Sequence, residues 1–192
     1  PNAAPGDLTA DQMDRVADLA DRYSLGELRV SHRQNLVFTD VRQRDLPELW
    51  TALRGLGLAE PNLGMLTDII ACPGLDYCSL SNARSISVAQ DLQRHFDDVA
   101  AIHDLGELTL NISGCMTACG HHHVGHIGIL GVDRKGEEHY QIQIGGSASE
   151  DAALGRILGR GFSADEVVDV VEKIVDTYLA LRTDGEAFID TY

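Results

Sequence analysis

Four cysteines, Cys72, Cys78, Cys115 and Cys119, are the residues of this sequence best suited to chemistry, because thiolates bind soft metals and carry electrons. They fall into two pairs. Five residues separate Cys72 from Cys78, three separate Cys115 from Cys119, and 36 lie between the pairs. The first pair brackets the turn-rich stretch that opens with Ala71-Cys72-Pro73-Gly74. The second lies in Ser113-Gly114-Cys115-Met116-Thr117-Ala118-Cys119-Gly120, a tight loop at the end of an alternating run. Two such loops held by one sheet can surround an iron-sulfur cubane, each loop spanning two corners. Zinc is the competing reading, and it is weakened because structural zinc knuckles favour two residues between ligands. Four unconnected buried cysteines and two disulfides of a secreted domain are further alternatives, although a reducing compartment keeps thiols reduced.

The 192 residues suffice for one substantial domain or two small ones sharing a core. A net charge of -15, with only Lys135 and Lys173 as lysines, leaves no basic stripe for a phosphate backbone and argues against a nucleic-acid partner. No apolar run approaches the roughly 20 residues of a membrane span, and no signal peptide is evident. A cytoplasmic protein without a membrane partner is expected. The chain starts at Pro1 and stops at Asp190-Thr191-Tyr192 without an end signal, so it reads as a fragment of a longer protein.

The elements that must position the cysteines follow from periodicity. Thr9-Ala10-Asp11-Gln12 has the form of a capping box, and Met13, Val16, Ala17, Leu19 and Ala20 then recur at helical spacing to about Tyr23. Two strands are expected around Leu28 to Val30 and Leu36 to Phe38, and a second helix carries Leu46, Leu49, Trp50, Leu53 and Leu56. Helix, two strands and helix suggest half of a ferredoxin-like layer. Beyond Thr67, the pattern predicts a helix over 79–95, a strand over 107–112 and a hairpin pairing 126–132 with 138–144 across the turn at 133–136. A closing helix follows from about Ser163. The predicted fold is α+β: a ferredoxin-like half domain over 1–66, then a mixed-sheet domain over 67–192 that bears the cysteines.

Ala71-Cys72-Pro73-Gly74 with Cys78, and Asn111-Ile112-Ser113-Gly114-Cys115 with Cys119-Gly120, resemble the paired signature of the siroheme-dependent sulfite and nitrite reductases. The resemblance extends upstream to Arg33-Gln34-Asn35-Leu36 and downstream through Ile127-Gly128-Ile129-Leu130-Gly131 to the closing helix. Nearly the whole chain is similar to the C-terminal half of such an enzyme, above all of the bacterial assimilatory sulfite reductase hemoproteins of sulfur assimilation. The resemblance implies that Cys72, Cys78, Cys115 and Cys119 ligate a 4Fe-4S cluster and that Cys119 also binds the siroheme iron. It implies six-electron reduction of sulfite to sulfide, or of nitrite to ammonia. Arg33, Gln34 and Asn35 become candidate donors to the siroheme carboxylates, with a turn that merely starts a strand as the bland alternative. Thr117, where relatives often have Asn, is a weaker candidate contact to the macrocycle.

His121, His122, His123 and His126 follow the second cysteine loop. They serve loop packing, hydrogen bonding around the cofactors, or a further metal site. The cationic groups needed to hold an oxyanion and deliver protons are missing, since Lys135 falls in a hairpin turn and Lys173 on the exposed side of the last helix. No catalytic residue is therefore assigned. The expected partners are the N-terminal half of the same enzyme, which would supply those groups, and an electron donor, either a flavoprotein reductase or a ferredoxin. Siroheme is expected to be absent from an isolated fragment. A protein of another class, a cluster-bearing or siroheme electron carrier without a substrate site, is the alternative.

Overall fold

The computed structural model describes residues 7–192, and the chain divides into two compact units, Pro1–Pro61 and Asn62–Tyr192. In the first, α1 (Ala10–Tyr23) starts as its sequence requires: the Thr9 hydroxyl accepts from the Gln12 amide at 3.2 Å, and the Gln12 side chain accepts from the Thr9 amide at 2.9 Å. Val16, Ala20 and Tyr23 form its buried face. Strands β1 (Leu28–Val30) and β2 (Leu36–Phe38) pair antiparallel with Leu28 opposite Phe38, and α2 (Leu46–Gly55) follows with Pro47 in its first turn. The Gln12 side-chain amide donates to Leu56 O at 3.1 Å, tying the start of α1 to the end of α2. Helix, two strands and helix is the half layer expected from the sequence.

The second unit is built on a mixed sheet ordered β3 (Ile70–Ala71), β4 (Leu110–Ser113), β5 (Ile127–Arg134), β6 (Glu137–Ile144) and β7 (Arg156–Ile157). β3, β4 and β5 run parallel, and β5, β6 and β7 antiparallel. Leu110, Ile112, Ile127, Ile129 and Ile142 are fully buried, as in a central sheet covered on its apolar face. The cover includes α3 (Ile86–His95), α4 (Val99–Leu105) and α5 (Ala164–Leu181), with α3 packed on α5. Val167, Val171, Val175 and Tyr178 give α5 its buried stripe, each such side chain contributing about 1.5–3 kcal/mol when fully buried. The Tyr178 hydroxyl lies 3.1 Å from Leu105 O and 2.7 Å from Glu186 O, which pins the segment leading to α6 (Phe188–Thr191).

Three expectations change. The helix predicted over 79–95 starts only at Ile86, because the Asn82 and Ala83 amides donate to Gly114 O at 2.9 and 3.0 Å and so are unavailable to a helix. The helical turns 99–105 and the two-residue strands β3 and β7 lacked a sequence period long enough to declare them. The strand predicted over 107–112 is set by its partners at Leu110–Ser113. No helix among the described residues is long and apolar enough to cross a membrane.

Candidate functional site

Parallel pairing of β3 and β4 sends both cysteine loops out of the same end of the sheet, the carboxyl end, where open α/β sheets place their ligands. Ala71 lies opposite Ile112, so Cys72 and Ser113 leave the sheet side by side, and the Cys72 amide donates to Ile112 O at 3.1 Å. The first loop folds over a 3-10 turn at Gly74–Asp76, and the Cys78 amide donates to Gly74 O at 2.9 Å. Leu75 donates to Ala83 O at 3.1 Å, drawing the loop back on itself. Cys72 and Cys115 are buried, Cys78 is half-buried and Cys119 is exposed.

Gly114 stitches the two loops together. Its amide donates to Cys72 Sγ at 3.0 Å, while its carbonyl accepts from Asn82 and Ala83. A Cβ here would come within 2.6 Å of Ala83 O, a backbone atom that cannot swing away. Gly120 is constrained in the same way, since a Cβ would lie 2.8 Å from the carbonyl carbon of Ile112 and collide with its oxygen. Between these glycines, the loop turns through Ala118, in the left-handed region at φ 57°, and leaves through His121 at φ 54°.

Polar groups approach two of the sulfurs, beginning with the Gly114 N–H at Cys72 Sγ. Cys72 Sγ also lies 3.4 Å from the hydroxyl of Ser85, the N-cap residue of α3, at the positive end of that helix dipole. Thr117 Oγ1 is 2.7 Å from Cys115 Sγ. Among the described residues, no three His, Cys, Asp or Glu side chains are gathered closely enough to hold a metal ion as they stand. The four thiols fit an iron-sulfur cluster in donor chemistry and in the backbone approach of their loops. Cys72, Cys78, Cys115 and Cys119 would hold the cluster.

The other sequence candidates are distributed differently. Arg33, Gln34 and Asn35 belong to the first unit and form the β1–β2 turn: Gln34 has φ 61°, and the Ser31 hydroxyl accepts from the Arg33 and Asn35 amides at 3.3 and 3.1 Å. The four histidines do not act as one group. His126 Nδ1 accepts from the Thr109 amide at 3.3 Å, and its ring stacks on Phe188 at 6.1 Å. His122 is wholly buried, its ring 3.9 Å from that of His123, and neither of its nitrogens has a hydrogen-bond partner among the described residues. Burial first, then the neighbouring His123, lowers the His122 pKa from 6.5 to about 4. Sequence reasoning passed over Ser85, although a serine directly before the apolar period of 86–95 is a helix-start signal.

Residues 65–186 match the nitrite and sulphite reductase 4Fe-4S domain, and residues 2–56 match the nitrite/sulfite reductase ferredoxin-like half domain. The chain belongs to this reductase family. It is 31% identical over 183 residues to sulfite reductase [ferredoxin] 2 of Mycolicibacterium paratuberculosis, covering 90% of this chain and 33% of the relative. It is also 31% identical over 200 residues to the assimilatory ferredoxin-dependent nitrite reductase of Haloferax mediterranei, covering 97% of this chain and 33% of that protein. The solved structure of the Mycobacterium tuberculosis NirA protein superposes with a TM-score of 0.82 at 29% identity over 98% of this chain and 36% of the other. Dissimilatory sulfite reductase I superposes with a TM-score of 0.81 at 13% identity, a likeness of fold. The chain spans about a third of the length of the curated relatives it matches.

Proposed function

We propose that this chain is the cofactor-bearing portion of an assimilatory sulfite reductase that reduces sulfite to sulfide in the cytoplasm. The supporting observation is the lacing of two cysteine loops at the carboxyl end of β3 and β4, with the Gly114 amide donating to Cys72 Sγ at 3.0 Å. Cys72, Cys78, Cys115 and Cys119 would hold the cluster, and the exposed Cys119 would also be a ligand for siroheme. When bound, a 4Fe-4S cluster and siroheme would supply the one-electron redox chemistry that the reduction needs. The protein's own part is positional: the Gly114 N–H and the Ser85 hydroxyl at the start of α3 hold the Cys72 sulfur in place. The Thr117 hydroxyl, 2.7 Å from Cys115 Sγ, is placed to do the same there, and Thr117 remains a proposed contact to the macrocycle. Arg33, Gln34 and Asn35 are proposed donors to the siroheme carboxylates.

The remaining two thirds of such an enzyme, including its N-terminal half, would bring the cations that hold the oxyanion. Ferredoxin is the proposed electron donor, because sulfite and nitrite reductases similar to this chain carry it in their names. Reduction of nitrite to ammonia is the second reading, supported by a nitrite reductase matched at the same 31% identity.

Anaerobic reconstitution with iron and sulfide tests the site. The wild-type chain is expected to take up four irons and four sulfides with a broad visible absorption, and each Cys→Ser variant to lose it. Exclusive uptake of zinc by the four thiolates would overturn the reading. Turnover of sulfite against nitrite by the enzyme containing this chain separates the two substrates.

A further inference from the structure

The backbone of Arg84 is gripped on both sides by one strand. Glu138 and Tyr140, two residues apart on β6 and therefore on one face, meet it together. The Arg84 amide donates to Glu138 Oε2 at 2.7 Å, and the Tyr140 hydroxyl donates to Arg84 O at 2.8 Å. Tyr140 is buried, and its hydroxyl also lies 3.3 Å from Glu138 Oε2. Burial, with Glu138 adding to it, raises the Tyr140 pKa well above its usual value and keeps the phenol a donor. From this fixed point, the Arg84 guanidinium pairs with Glu138 Oε1 and extends to Asp76, with Nε 3.6 Å from Oδ1. Asp76 stands in the 3-10 turn between Cys72 and Cys78.

We infer that Arg84, held by Glu138 and Tyr140, is a positioning residue that clamps the first cysteine loop to β6 and sets where Cys78 presents its sulfur. The inference rests on the cluster reading for its purpose but not for its geometry. Cys72 is fixed by the sheet edge and by Gly114, whereas Cys78 lies past the turn. Its carbonyl accepts from Ser81 at 3.1 Å, inside the segment that ends at Arg84. The Asp76 carboxylate and the Arg84 chain ends therefore bracket Cys78 in sequence and join across it. A lone exposed ion pair would do little, but here one guanidinium joins two carboxylates, and the Arg84 carbonyl is held separately by the buried Tyr140.

The test compares the full wild-type chain with Arg84→Met, Arg84→Lys and Asp76→Asn. Iodoacetamide labelling of the metal-free protein, mapped by mass spectrometry, reads each thiol separately. Arg84→Met and Asp76→Asn are expected to speed labelling of Cys78 roughly twofold to fivefold, the scale of one partly exposed ion-pair network, while leaving Cys72 and Cys115 unchanged. Arg84→Lys is expected to restore part of the protection. After reconstitution, loss of the cluster to a chelator is expected to accelerate by a similar factor. A Cys78 rate unchanged in Arg84→Met and Asp76→Asn overturns the clamp, as does an equal rise at all the thiols, which marks general loosening. Should Arg84→Met not fold, Asp76→Asn leaves the grip of β6 intact and carries the same readout. A wild-type chain that takes up no cluster defeats the cluster reading instead, and the labelling result still decides the clamp.

Discussion

Replacing His122 by leucine is expected to stabilise the second unit and to remove a specific dependence on pH. The ring is wholly buried, and both nitrogens are without partners, so leaving a polar group unsatisfied costs about 1–3 kcal/mol that an apolar side chain of similar size recovers. The pH effect has a definite sign. The unfolded ring binds its proton near 6.5 and the folded ring only near 4, so between those values the unfolded state holds more protons. Stability from this group is fully present above pH 6.5 and is lost as pH falls toward 4. The full drop corresponds to roughly 3 kcal/mol, of which roughly 2 kcal/mol is lost by pH 5. Leucine at this position is therefore expected to be ahead by about 1–3 kcal/mol at pH 7.5, with the lead growing by roughly 2 kcal/mol at pH 5. Because Trp50 belongs to the first unit, its fluorescence is the wrong probe. Native-state hydrogen exchange of the β5 amides, Ile127 to Leu130, reads the unit that contains His122. A lead that is equal at the two pH values refutes the pKa argument. A leucine variant less stable than wild type at pH 7.5 refutes the unpartnered ring.

Gly114→Ala is expected to cost roughly 1–3 kcal/mol through the forced approach to Ala83 O and to lower cluster content after reconstitution, checked by urea unfolding and by iron and sulfide analysis. Ser163→Ala removes the hydroxyl 3.1 Å from Glu166 Oε2 at the start of α5 and is expected to lower stability by about 1 kcal/mol in the same assay. Glu166, held near pKa 2 by Arg160 and then by the Ser163 amide and hydroxyl, stabilises the fold above pH 4.5, and that contribution fades as pH falls toward 2. A Glu166→Gln variant is expected to show a flatter acid limb in the same pH titration.

The helices with strong start signals were legible because their information is local. Thr9 with Gln12 and Ser163 with Glu166 each declare a first turn, and the apolar periods of α1 and α5 supply the buried faces. The cysteine loops were legible from spacing and from their glycines. The start of α3 was not, because the peptide groups that block it are captured by Gly114, some thirty residues further along the chain. The same holds for the grip of β6 on Arg84: Glu138 lies 54 positions beyond Arg84, and nothing near either one announces the other. The histidine run illustrates a different limit. Adjacent His122 and His123 differ completely in burial because a 3-10 turn points neighbouring side chains in different directions, which a count of histidines does not capture.

Gly114 gives the proposed electron path a mechanical property. One residue donates from its amide to a sulfur of the first loop and accepts at its carbonyl from that loop's return segment. A holder built this way has little freedom to rearrange when charge arrives or leaves. In the proposed reductase, small structural adjustment per electron would keep the barrier to each transfer low, a property that the missing methyl group of Gly114 makes available.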